Sequence, residues 1–232
     1  MRNIISGIIY AISYFTTLPL NQGQFEANKQ FYKGILIALP IIGLLLGVII
    51  SSLYIGFSYI LPAWYAAILV SIIYPFLYGF IHLEAVSDTI DGWYASYSKK
   101  DIYEVMHEPQ IGAIGAIGTF SFILLKILAL TYLFTHEQYI AIIIVLVLSR
   151  LSIIFSLSFE FHHKSYFALS LKNAIKNPII LKVLFLPINI LTKLILKRLQ
   201  QRLGFLNGDT LGFNIELLEI ILLNIAVIIF AS

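Results

Sequence analysis

The residues best placed to do chemistry lie between Ile81 and Gly118, in the stretch IHLEAVSDTIDGWYASYSKKDIYEVMHEPQIGAIGAIG. The chain has 12 acidic residues. Half of them fall in this window: Glu84, Asp88, Asp91, Asp101, Glu104 and Glu108. Glu84, Asp88 and Asp91 are spaced i, i+4, i+7, which puts three carboxylates on one helical face. Like charges so arranged repel unless a cation lies among them. Hard oxygen donors in this number suit Mg²⁺, which takes one or two carboxylates together with waters and substrate phosphates. These three are the candidate metal ligands. Gly92 follows directly, free to turn the backbone or to let a phosphate come close, and is a candidate substrate contact. Asp101, Glu104 and Glu108 make a second stripe at i, i+3, i+7, with His107 alongside. Two facing stripes would hold a metal–diphosphate between them. The competing reading is a solvated loop where acids are cheap. It weighs more on the second stripe, beside Lys99 and Lys100, than on the first. His82 lies off the first stripe and by spacing alone reads as an interfacial histidine.

The elements that must position these groups are apolar helices. The chain has 232 residues, 59% hydrophobic and 12% charged, with a mean hydropathy of +0.92. A soluble domain is roughly 45–50% apolar and about 25% charged. The expectation is an all-α, polytopic membrane helix bundle forming one integral membrane domain over residues 1–232. Five firm spans are expected at 35–61, 63–81, 111–134, 139–159 and 213–231, with a kink at Pro75. Residues 1–20 and 178–196 are short or re-entrant. The first is broken by Ser6, Gly7 and Ser13, and the second carries Lys182, Pro187, Asn189 and Lys193. No convincing cleavable signal peptide is seen. Basic residues gather in the connectors, so Lys29/Lys33, Lys99/Lys100, Lys164 to Lys176 and Lys193 to Arg202 are expected to face the cytoplasm. A net charge of +3 gives no reason to expect a nucleic-acid partner, and the absence of cysteine excludes thiolate metal sites and thiol nucleophiles. Lys126 and Arg150 are cations within spans, where such a group usually has a partner or a function. Gly208-Asp209-Thr210-Leu211-Gly212 reads as a polar, flexible turn ahead of the last span.

Two resemblances bear on the window. DTIDGWYA fits D-x-x-D-G-x-x-A, the opening of the CDP-alcohol phosphotransferase signature. Ser96 then stands where the signature has arginine, and its later aspartates are missing. A longer match is to the cobalamin synthase (adenosylcobinamide-GDP ribazoletransferase) family. HLEAVSDTIDG resembles that family's HLDGLADTADG, followed in order by Glu104-Val105-Met106, Ile111-Gly112, Gly115 and Lys126. Phe15-Thr16-Thr17-Leu18-Pro19, then Pro40, Gly43 and Gly47, and finally the Gly208 to Gly212 string are similar to its other motifs. The departures are Glu84-Ala85 for Asp-Gly, Thr17 for arginine, and His107-Glu108-Pro109-Gln110 for a basic–Asp–Ser–Arg string.

The resemblance implies an inner-membrane enzyme whose site faces the cytoplasm. It implies Mg²⁺ as cofactor, and adenosylcobinamide-GDP with α-ribazole or its 5′-phosphate as substrates. The products are adenosylcobalamin or its 5′-phosphate, and GMP. It makes His82, His107 and Glu104 the base candidates, in that order, and adds Lys126, Arg150, Gly208 and Asp209 to Gly92 as substrate contacts. The reading from another class is a transporter with acids lining a pathway. Against it, the acids cluster near a loop rather than at mid-bilayer, and no repeated halves are visible.

Overall fold

A computed structural model describes residues 2–21, 23–98, 100–175 and 178–231. Lys99 and Lys176, both counted in the basic connectors, lie outside the described residues. All regular structure among these residues is helical: α1 Arg2–Phe15, α2 Lys29–Ser58, α3 Ala63–Leu77, α4 Ile81–Ala95, α5 Ile102–Val105, α6 Ala113–Thr135, α7 Tyr139–Ser156, α8 Tyr166–Ala174, α9 Ile179–Leu184, α10 Leu186–Leu203 and α11 Gly208–Ala231. α2, α6, α7 and α11 are each long and apolar enough to cross a membrane. That is the pattern of a multi-pass membrane protein.

The segment expected as a span at 63–81 does return the chain between α2 and α6, but as a shorter helix bent sharply into α4. α3 has 15 residues, about 22 Å of helix against an apolar slab of about 30 Å. It stops at Leu77, and α4 leaves it at 81°. The break sits after Pro75, not at it. Gly79 and Phe80 take φ of 63° and 58°, a left-handed pair that reverses the chain and that a bulky residue such as Phe80 rarely adopts. Thr17, in the loop after α1, holds this corner by donating its N–H to the Leu77 carbonyl at 2.9 Å.

Other boundaries move for local reasons. α2 starts at Lys29 because Asn28 accepts the N–H groups of Gln30 and Phe31 at 3.0 and 3.2 Å, a side-chain N-cap. The 178–196 segment divides at Phe185. Pro187 then sits in the first turn of α10, where its missing N–H is harmless. α10 continues to Leu203, taking in the basic run Lys197, Arg198 and Arg202. The Gly208 to Gly212 string is not a turn but the start of α11. Asn207 and Thr210 cap it reciprocally: Thr210 N donates to Asn207 Oδ1 at 3.0 Å, and Asn207 N donates to Thr210 Oγ1 at 2.9 Å.

The spans share two well-defined ends. At one, Tyr54 of α2 stacks on Phe134 of α6, and Tyr132 of α6 donates to the Phe230 carbonyl of α11. At the other, α2, α4, α7, α8 and the start of α11 surround one small cavity. α2, α6 and α11 therefore run the same way and α7 returns. α2 and α7 approach closely because Gly43 and Gly47 have no side chain. A Cβ at Gly43 would run into the backbone of Leu146, and one at Gly47 would meet Ile143. Small residues four apart give membrane helices this kind of close seam.

Candidate active site

α4 carries the first acidic stripe across the second end of the bundle, with α6 and α11 packed against it. Glu84 is exposed, and Asp88 and Asp91 are partly buried. Asp91 has a structural partner. Its two carboxylate oxygens accept the N–H groups of Gly112 and Gly115 at 2.8 Å each. α6 has no side-chain cap of its own, so Asp91 supplies one from the neighbouring helix, with its charge at the positive end of α6. Gly112 and Gly115 are matched to it, since a Cβ on either would collide with the carboxylate.

Glu84 and Asp88 instead line a cleft of about 920 Å³, together with Ser87, His107, Glu108 and Asp209. No lysine or arginine lines it among the described residues. The charged neighbours of Asp88 are Asp209, Glu84 and Asp91, with His107 on the opposite side of the balance. Glu84, Asp88, Glu108 and Asp209 are thus the acids facing one space, where the spacing predicts Glu84, Asp88 and Asp91. Asp209 comes from the first turn of α11, where Asn207 Nδ2 donates to it at 2.7 Å. No group of three or more such side chains is arranged to hold a metal by itself among the described residues. Several carboxylates around one open space, with no lysine or arginine lining it among the described residues, would suit a hard divalent cation sharing its shell with waters and phosphate oxygens.

The base candidates separate. His107 lines the cleft, and its Nδ1–H donates to the Tyr103 carbonyl at 2.7 Å. That bond assigns the tautomer and leaves Nε2 as the proton acceptor in the neutral ring. His82 is buried between Phe15 and Tyr78, with ring centroids 5.9 and 5.7 Å away, and faces the adjoining cavity of about 200 Å³ with Gly208 and Asp209. Glu104 is exposed on α5 and does not line the cleft. Asp101 is the N-cap of α5 and accepts from Tyr103 N at 2.8 Å. Gly92 lies inside α4, buried, where a Cβ would press on Met106. It makes no turn and lines neither cavity.

Lys126 and Arg150 lie in the bundle interior, fully buried and already paired. Lys126 bridges Glu216 and Glu219, the latter at 2.8 Å, and Arg150 pairs with Glu219. Tyr74 completes the network, donating to Glu219 at 2.9 Å while Arg150 Nη2 donates to its hydroxyl at 2.7 Å. Two cations and two carboxylates leave it neutral. Tyr74, Tyr78 and His82 form an aromatic ladder from this network to the cavity. Sequence reasoning missed the role of Glu216, Glu219 and the tyrosines. The available signals were the four-residue spacing of the ladder and the equal count of acids and bases within spans.

Residues 7–227 match the cobalamin-5-phosphate synthase family. The chain belongs to that family. It is 30% identical to an adenosylcobinamide-GDP ribazoletransferase of Treponema denticola, over 95% of this chain and 96% of that protein. It is 27% identical to one of Thermoanaerobacter pseudethanolicus, over 93% and 94%. A third, from Clostridium botulinum, is 28% identical over 67% of this chain and 62% of that protein. No solved structure matches the chain. The family match runs through the window and both ends of the chain, whereas the CDP-alcohol signature fails after its opening. In this chain Gly43 and Gly47 serve helix packing, and the Gly208 to Gly212 string opens α11, with Thr210 in its cap and Asp209 in its first turn.

Proposed function

We propose that the chain is an adenosylcobinamide-GDP ribazoletransferase, joining adenosylcobinamide-GDP to α-ribazole or its 5′-phosphate and releasing GMP. The observation that carries the site assignment is the cleft in which Glu84, Asp88, Asp209 and His107 converge without a lysine or arginine among the described residues. A ribose hydroxyl attacks the phosphorus on the cobinamide side of the diphosphate. An oxygen–phosphorus bond forms, the bond to the bridging oxygen breaks, and GMP leaves. Such a reaction is mainly a matter of positioning and charge neutralisation. His107 takes the hydroxyl proton on Nε2, its ring oriented by the Tyr103 carbonyl. Asp88, Asp209 and Glu84 are the side chains that would hold Mg²⁺. When bound, the ion would neutralise diphosphate oxygens and the charge developing on GMP. Gly208, at the open start of α11, supports a phosphate contact through its backbone N–H. Lys126 and Arg150 hold α6 and α7 to α11 and so fix where Asp209 points.

The site is proposed to face the cytoplasm across the inner membrane. The turns at 59–62 and 136–138 contain no lysine or arginine, while Lys29 and Lys33 at the start of α2, Lys164 after α7 and Lys172 in α8 lie towards the other end. The test is GMP release by purified protein given adenosylcobinamide-GDP and α-ribazole. Turnover is expected with Mg²⁺ and its loss with chelator. Release of CMP from a CDP-alcohol instead, or turnover indifferent to chelator, would overturn the substrate or the metal assignment respectively.

A further inference from the structure

A second recess lies away from the acidic cleft. Trp93 and Tyr97, at the end of α4, face Arg198, Gln201 and Arg202 of α10 around a space of about 230 Å³. From Glu84 to Trp93 is nine residues, two and a half turns at about 3.6 residues each, so Trp93 points from the opposite side of α4 to the acidic stripe. The guanidinium of Arg202 lies 3.5 Å from the Tyr97 ring centroid and 5.9 Å from that of Trp93. Its Nε and Nη2 are buried with no hydrogen-bond partner among the described residues. Buried donors left without an acceptor are costly, and no carboxylate lines the recess to supply one. Arg198 and Arg202, four apart on one helix, also repel each other. An anion in the recess offsets that repulsion and the unbalanced charge of the pair.

The same ridge of α10 indicates what carries that anion. Going back from Arg202 and Arg198 in steps of four come Leu194, Ile190 and Leu186, which are 62%, 48% and 50% exposed. Two arginines flanked by Trp and Tyr thus end an open apolar strip, and the ridge from Leu186 to Arg202 is about 24 Å long at 1.5 Å per residue. A phosphate on an apolar tail matches both parts, and a free phosphate matches only the first. Aromatic side chains at the apolar–polar boundary and basic groups beside anionic headgroups belong to the same setting.

We propose that this recess is a headgroup site for an anionic phospholipid, with its phosphate at Arg198 and Arg202 and its acyl chains along Leu194, Ile190 and Leu186. The site pins the end of α4, and with it the acidic stripe, to the membrane surface. The chain has two tryptophans, so Trp64→Phe leaves Trp93 as the sole reporter. The full-length protein in detergent is titrated with dioleoylphosphatidylglycerol, with dioleoylphosphatidylcholine, or with inorganic phosphate, following Trp93 emission. The anionic phosphatidylglycerol is expected to give a saturable change. Arg198→Gln, at an exposed position, should raise the half-saturating concentration about tenfold, and Arg198→Lys should raise it less. An unchanged melting temperature in Arg198→Gln certifies its fold. Equal responses to both lipids, or no effect of Arg198→Gln, would overturn the proposal. The same saturable change with inorganic phosphate alone would assign the recess to a free anion and overturn the lipid.

Discussion

Asp88 and Asp91 are three residues apart on one face of α4, yet they have different surroundings. Asp91 spends both oxygens on the N–H groups that open α6, while Asp88 faces Glu84 and Asp209 across the cleft. Asp88→Asn should therefore lower kcat by about 10²-fold or more, the scale of losing one preorganised charge at a phosphoryl-type centre. The melting temperature should be unchanged or slightly higher, because a repulsion is removed. Asp91→Asn replaces a doubly bonded carboxylate with one acceptor and a donor facing an N–H, and should cost about 1–3 kcal/mol of stability. Parallel melts and GMP-release assays separate the two. Helical spacing made the stripe legible but not this division of labour. The partners of Asp91 lie 21 and 24 residues further along the chain, and Asp209 arrives from the last helix.

At the scale of elements, apolar runs announced α2, α6, α7 and α11, because roughly 20 apolar residues have few other uses. The misplaced boundaries were those set by specific contacts. α3 ends where Gly79 and Phe80 turn left-handed, and α11 begins where Asn207 and Thr210 cap it, and neither event alters hydropathy. The interior network was half legible, since Lys126 and Arg150 were visible as cations in need of partners. Lys126→Met leaves Glu216 and Glu219 buried against Arg150 alone. Stripping one partner from a buried pair costs about 3–5 kcal/mol, and that is the loss expected in a detergent melt. Lys126→Met combined with Glu216→Gln restores the charge balance and should recover most of it. An additive double variant would mean that the cost of Lys126→Met comes from packing.

For the molecule as a whole, the charge map predicts sidedness. The chain has no native cysteine, so each introduced one is a unique label. Cysteine placed for Glu137, in the α6–α7 turn, should react with an impermeant maleimide added to intact cells. Cysteine placed for Lys164, beyond α7, should react only after the membrane is opened. The reverse pattern would put the acidic cleft outside the cell. The expected sidedness comes from the sequence alone, because lysine and arginine are so unevenly shared among the connectors. The path of the chain between α7 and α11 was only partly legible: parity required the 178–196 segment to stay on one side, but nothing in it revealed the division at Phe185.

The interior network also sets an order of events during synthesis. Lys126 precedes Glu216 by 90 residues, and Arg150 precedes Glu219 by 69. At roughly 5–20 residues per second, several seconds pass before the counter-charges leave the ribosome. During that interval α6 and α7 enter the bilayer with their cations unneutralised, at about 2.5–3.5 kcal/mol each on an insertion scale. They are held by their apolar flanks alone. α11, made after both, is then the helix that locks the earlier two, and it carries Asp209 into the cleft as it does so. Asp209 thus joins the acids of the cleft in the same event that neutralises the two buried cations.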